Sequence, residues 1–234
     1  MNNFLLGSDT FAIALTFGLY FVFQKLYSRF NLFFLNPVLT TIITLIAFLQ
    51  IFGIPYSTYS KGGNFISLLL KPAIVALGVP LYLNLEHIKK QKNGIILSQL
   101  AGCVTGIVSV IIFAKIFGAS KPIILSLVPK SVTTPLAMEI SNSIGGIPSV
   151  SAGVVVTVGI LGSVAGLWFL KIIRVKHQDA AGIAMGTAAH GLGTARAAEL
   201  SERHGAFATI GLILNGIFTA LFAPWIIKLF EKWL

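Results

Sequence analysis

Two stretches of this chain place chemically capable groups inside sequence that is otherwise apolar. The first is Pro129-Lys130-Ser131-Val132-Thr133-Thr134-Pro135, followed by Glu139 and Asn142; the second is His190-Gly191-Leu192-Gly193-Thr194-Ala195-Arg196, followed by Glu199. Their residue types suit a small anion. Lys130, His190 and Arg196 offer charge, while Ser131, Thr133 and Asn142 offer hydrogen bonds to hydroxyl or keto groups. Chain broken by proline or glycine at membrane depth survives only where protein buries it or it lines a wet cavity. Ionisable groups in such places mark function. Each break also sets a threonine ahead of a helix: Thr134 is placed to cap one beginning at Pro135, and Thr194 one beginning at Ala195. A helix N-terminus presents free N–H groups and the positive dipole end. Two of them facing each other, with Gly191 and Gly193 giving the second its flexibility, describe a carboxylate pocket. Glu139 and Glu199 would balance the cations or carry a coupling proton.

Each reading has a plainer counterpart. Arg196 and Glu199 stand three apart on one helix and are also placed to pair. His204 is expected at the interface rather than as a ligand, whereas a neutral His190 would protonate as a carboxylate arrives. Lys71 is either a further site residue or a lysine snorkelling from the start of a span. The four histidines show no close pairing and Cys103 stands alone, so no metal is expected. No Walker-type phosphate loop occurs, and no nucleophile–base arrangement is legible, so neither a cofactor nor an enzyme is expected.

The elements that must position these groups follow from composition. The 234 residues are 56% hydrophobic and only 10% charged, with a mean hydropathy of +0.89. A soluble domain carries roughly 25% charged residues, so an all-α integral membrane protein is expected. The net charge of +10 comes from Lys and Arg at span ends rather than from a basic stripe. It reads as membrane topology in a lipid bilayer and not as nucleic-acid binding. No cleavable signal peptide is evident in Met1 to Thr10, which lacks Lys and Arg.

Apolar spans are expected over about Thr10–Gln24, Phe33–Phe52, Phe65–Leu85, Gly94–Phe117, Val150–Leu170 and Phe207–Phe230, with a loop over Gly53–Asn64. The third is interrupted at Lys71-Pro72 and Gly78-Val79-Pro80. Gly102-xxx-Gly106 and Gly162-xxx-Gly166 have the spacing that lets helices approach closely. Counting Lys and Arg in the short loops puts the N-terminus outside. The same rule keeps Lys171, Arg174 and Lys176 inside only if the segment 122–146 enters and returns on one side.

Displaced by sixty positions, the first stretch overlies the second. Thr134 falls on Thr194, Ala137 on Ala197, Glu139 on Glu199, Ser141 on Ser201 and Gly145 on Gly205. Each copy would then be a re-entrant hairpin plus one crossing, the second inverted relative to the first. That is the architecture of secondary transporters, with paired broken segments marking the binding site. The expected organisation is about six transmembrane helices and two broken hairpins. Residues 1–121 form a scaffold and dimer contact, and 122–234 a transport core of units 122–178 and 179–234.

At these residues the chain resembles the LrgB/CidB family. The likeness rests on the run from Pro129 to Met138, on Gly145-Gly146, and on Gly182-Ile183-Ala184-Met185-Gly186-Thr187-Ala188-Ala189-His190-Gly191-Leu192-Gly193-Thr194-Ala195-Arg196. The resemblance implies one of two functions. One is a carrier of short 2-hydroxy or 2-oxo monocarboxylates such as glycolate, glycerate, pyruvate or lactate, by likeness to the plastidial glycolate/glycerate translocator. The other is a holin- or antiholin-like modulator of murein hydrolase export and autolysis. It further implies a bacterial cytoplasmic membrane location and a small LrgA/CidA-type membrane partner; a homodimer is expected. The residues favour the carrier, since a holin has no use for two capped helix N-termini at a charged break. Loss of transport is then expected in Lys130→Ala and in Arg196→Ala.

Overall fold

The computed structural model describes residues 8–30, 35, 37–76 and 78–234, and for positions 67, 69–71, 73–76, 78, 80 and 81 the backbone alone. Phe33, the expected start of the second span, and the side chain of Lys71 lie outside what is described. All regular structure among the described residues is helical, in two compact units, Met1–Ala76 and Leu77–Leu234. The functional division read from the sequence falls later, at 121/122.

The first unit holds α1 (Asp9–Phe30), α2 (Pro37–Ile51) and α3 (Tyr56–Ala76), with α1 packed on both others. The segment expected as a loop to Asn64 is helical from Tyr56 onward. Its glycine is the reason: a methyl on Gly62 would stand 2.5 Å from the Asp9 carbonyl. The Gly-Ser composition that reads as a turn is here the small surface that lets α3 lie on α1. Tyr59 OH and Thr16 Oγ1 tie the same two helices at 2.8 Å.

The second unit holds α4 (Gly78–Leu83), α5 (Leu85–Lys90), α6 (Lys92–Ile116), α7 (Lys121–Leu127), α8 (Thr134–Ile144), α9 (Pro148–Ile172), α10 (Gln178–Ala198) and α11 (Glu202–Phe230). The third predicted span thus falls on α3, α4 and the start of α5; α3 runs unbroken through Lys71-Pro72 and ends at Ala76, so the interruption expected there is absent, and a new helix starts at Gly78. Among the described residues four helices are long and apolar enough to cross a membrane: α1, α6, α9 and α11. The 15-residue α2 is apolar but shorter.

Helix directions in the second unit follow from its contacts. Gln91, just ahead of α6, meets Asp179; Gln99 meets Thr187; Cys103 meets Thr219; Lys115 meets the Leu234 carbonyl. Position 182 touches His204 and Phe207, and position 211 touches Ile183 and Thr187. So α6, the first arm of α10 and α11 run parallel. On α9, position 159 meets His190, 162 meets Ala189 and 166 meets Met185, so α9 runs antiparallel to them.

Between these long helices the chain twice leaves and returns. Helix α7 ends at Leu127, residues 128–133 turn, and α8 brings the chain back until Gly146 lies beside Ser126. Left-handed Gly145 (φ 83) ends α8, with Gly146 N–H on the Ser141 carbonyl at 2.8 Å. Ser126 closes the neck: its Oγ accepts from Ile147 N–H at 2.7 Å, and its carbonyl accepts from Ser151 Oγ at 2.8 Å. The second return turns at Ala189 and His190, where α10 departs from helical geometry (His190 φ 43, ψ −131). The returning arm presses on the outgoing one so closely that a methyl on Gly193 would strike the Met185 carbonyl. Its neck is closed by Arg203, whose Nε and Nη2 donate to Asp179 at 2.5 and 2.8 Å. The first hairpin starts from the C-terminal end of α6, the second from its N-terminal end. Their tips meet between.

Candidate cavity between the hairpin tips

A cavity of about 810 Å³ lies where the tips meet. One face of α6 forms its longest wall, through Gln91, Ile95, Ser98, Gln99, Cys103 and Ile107, with Gly94, Gly102 and Gly106 on the same face. Gly102 and Gly106 make room rather than a helix contact. A methyl on the first would stand 3.4 Å from Thr187, and on the second 3.9 Å from Lys130 Nζ. Opposite stand the first arm of α10, a strip of α9 around Leu161, and Asn215 and Thr219 of α11. The tip of the first hairpin adds Val128, Lys130 and Ser131.

The tip is fixed by what surrounds it. Val132 and Pro129 are fully buried, and Val128 packs into a core cluster with Ile107, Ile111, Ile124 and Val155. With its apolar neighbours turned into the core, Lys130 is left on the cavity wall, where Nζ donates to Ser131 Oγ at 3.1 Å. Among the described residues no carboxylate pairs with it. A cation facing a cavity without a counter-charge is a place for an anion.

Buried amides join the two tips. Asn215 Nδ2 donates to the Ser131 carbonyl at 2.9 Å and to the Thr187 carbonyl at 3.1 Å, so one side chain on α11 holds both hairpins. Gln99 Nε2 donates to Thr187 Oγ1 at 2.6 Å, and Thr187 in turn donates to the Ile183 carbonyl at 2.7 Å. Gln99 is fully buried, and its Oε1 has no hydrogen-bond partner among the described residues. Gln99, Thr187, Asn215 and Thr219 were not among the candidates read from sequence. For Gln99 and Asn215 the signal was there: a lone amide inside a long apolar helix is itself an intramembrane polar group.

Of the candidates that were read, the cavity takes Lys130 and Ser131. Thr133 and Thr134 are partly buried but off its wall, while Asn142 and Glu139 are exposed on α8. Helix α8 begins at Thr134 rather than Pro135, with Thr133 in the cap position and no side-chain cap bond. Arg196 pairs with Glu199 on the outer side of the second hairpin, the plainer of the two readings. His190 is buried away from the cavity, donating Nε2–H to the Val155 carbonyl at 2.9 Å. Thr194 is no cap, because the helix has already resumed before it; its Oγ1 donates to the His190 carbonyl at 2.8 Å. Gly191 has open space around it, and Gly193 serves the close contact with Met185. The cavity is therefore not framed by two facing helix N-termini. It is framed by one hairpin tip, α6 and buried amides. No group of three His, Cys, Asp or Glu able to hold a metal occurs among the described residues.

Asp179 stands at the other end of the cavity, with Gln91 Nε2 donating to it at 2.7 Å beside Arg203. The Arg203 hydrogen bonds, helped by Gln91, hold its carboxyl below the usual carboxylate range against the opposing effect of burial. This end lies near Lys89, Lys90 and Lys92 ahead of and opening α6, and near Lys171 in the last turn of α9 with Arg174 and Lys176 after it.

Residues 16–229 match the LrgB-like family. An uncharacterized protein of Bacillus subtilis, YxaC, is 40% identical over 219 residues, covering 94% of this chain and 95% of that protein. The holin-like protein CidB of Staphylococcus epidermidis is 37% identical over 230 residues, covering 98% of this chain and all of that protein. The holin-like protein CidB of Staphylococcus aureus is 37% identical over 218 residues, covering 93% and 95%. No solved structure matches.

Proposed function

This chain belongs to the LrgB-like family of multi-pass membrane proteins, and we propose that it is a secondary carrier of small monocarboxylates in the bacterial cytoplasmic membrane. One observation carries the reading: Lys130, at the tip of a hairpin, faces a cavity and has no carboxylate paired with it among the described residues. A short 2-hydroxy or 2-oxo acid supplies the missing charge, and Ser131 and the nearby amides supply hydrogen bonds. The return of each hairpin supports reading 122–178 and 179–234 as inverted units, each a hairpin and a crossing, around a site near the midplane. Both basic clusters, 89–92 and 171–176, belong to the end of the unit where the second hairpin starts. The positive-inside rule makes that end cytoplasmic. Residues 1–76 serve as scaffold and as contact to a second copy or to a small LrgA/CidA-type partner.

A second reading, a holin-like modulator of autolysis, is favoured by the printed name of relatives at 37% identity. Thermal unfolding of the purified protein separates the two. Under the carrier reading glycolate, glycerate, lactate or pyruvate raises the midpoint in a concentration-dependent way, because a ligand that binds only the folded state stabilises it. Lys130→Ala removes that shift. Indifference of the wild-type protein to all four acids contradicts the carrier reading.

A further inference from the structure

The orientation of the Gln99 amide is assigned from the hydrogen bonds around it. Thr187 donates its one hydroxyl proton to the Ile183 carbonyl at 2.7 Å, so toward Gln99 it acts only as an acceptor. Gln99 must present Nε2 there, at 2.6 Å, and its oxygen is turned elsewhere. That oxygen belongs to a fully buried side chain on the cavity wall and has no partner among the described residues. Leaving a buried acceptor unpaired is costly, and native proteins reserve such groups for a purpose. The same logic fixes Asn215. Both its contacts are backbone carbonyls, so Nδ2 faces them and its oxygen is left for other partners. The lining thus holds Lys130 and, toward its other end, Asp179, and in its wall a buried amide oxygen on Gln99 with no partner among the described residues.

We propose that Gln99 sets the specificity of the site: its amide oxygen accepts a hydrogen bond from a donor next to the carboxylate that Lys130 holds. This rests on the carrier reading. A 2-hydroxy acid satisfies both groups. The matching 2-oxo acid turns a second acceptor toward Gln99 and leaves both oxygens unpaired. The spacing suits a short ligand. Lys130 Nζ lies beside Gly106, and Gly106 is seven residues from Gln99 on α6, about 10 Å along the helix. A short acid with one hydrogen bond of about 2.8 Å to each group is of the size such a spacing calls for.

The test uses the full chain in liposomes and pairs of acids that differ only in hydroxyl against carbonyl: lactate with pyruvate, and glycolate with glyoxylate. Wild-type uptake is expected to be inhibited by the hydroxy acid at about tenfold lower concentration than by its oxo partner. Gln99→Leu and Gln99→Met are expected to bring the two within about twofold of each other, through loss of hydroxy-acid affinity. Thr187→Ser, which keeps the hydroxyl that orients the Gln99 amide, keeps the preference. A wild-type carrier without preference for the hydroxy acid overturns the inference even if neither Gln99 variant folds. So does a preference that survives in a transporting Gln99→Leu. Absence of any saturable uptake in the wild type is a different failure, that of the carrier reading itself.

Discussion

Asn215 and Ser131 are 84 positions apart in sequence and joined by one hydrogen bond, Asn215 Nδ2 to the Ser131 carbonyl at 2.9 Å. The same nitrogen reaches the Thr187 carbonyl at 3.1 Å, so the relative placement of the two tips depends on one buried side chain.

Asn215→Leu, close in volume, leaves two carbonyls without their donor. An unpaired buried polar group costs about 1–3 kcal/mol. The variant is expected to unfold at a clearly lower temperature in detergent and to lose the shift produced by short acids. An unfolding midpoint equal to wild type would show that the tips are held by something else.

Lys130 and Arg196 are now expected to differ. Lys130→Ala removes the cavity's cation and abolishes acid binding with expression intact. Arg196→Ala breaks an exposed pair of the kind worth about 0–1 kcal/mol and leaves binding within a fewfold of wild type. Binding assays on both variants decide the matter, and equal loss in both would restore the pocket of Lys130, His190 and Arg196 read from the sequence.

The second turn depends on space made by Gly159. A methyl there would stand 2.5 Å from the His190 ring and 2.9 Å from Leu192. His190 itself holds a left-handed backbone, which costs on the order of 1–3 kcal/mol unless its surroundings enforce it; the bond to Val155 is part of that enforcement. Gly159→Val is expected to destabilise the protein by about 1–3 kcal/mol and to expose the second hairpin to proteolysis. A variant as protease-resistant as wild type would count against this turn.

The neck pair Asp179–Arg203 predicts an acid limb in stability. Asp179 is held below its unfolded value, so its contribution is fully present above the unfolded carboxylate range, about pH 4. It is lost as pH falls through the depressed folded value. Asp179→Asn is expected to flatten the pH dependence below about pH 5 while lowering stability at neutral pH. An unchanged acid limb in that variant would place the sensitivity elsewhere.

The first break was legible because proline announces itself: Pro129 and Pro135 bracket the turn, and the helix resumes within one residue of where Pro135 places it. The second was legible only in part. Gly191 and Gly193 suggested the turn, yet the chain bends earlier, at Ala189–His190, because Gly193 is needed for close approach to Met185 rather than for a turn. The charged candidates misled where a local partner was available, as with Arg196 and Glu199. Asp179–Arg203 and Asn215–Ser131 could not be read at all, since nothing in a single sequence pairs residues that distant. The loop expected to end at Asn64 failed for a related reason. Small residues mark turns and helix contacts alike, and only the presence of α1 beside Gly62 tells them apart.

The most direct test is uptake by the purified chain alone, reconstituted in liposomes and supplied with labelled glycolate, glycerate, lactate or pyruvate. Saturable uptake, competed by related monocarboxylates and absent in Lys130→Ala, is the result predicted here. Release of a neutral dye with no saturable acid uptake would contradict the carrier and favour the holin-like reading.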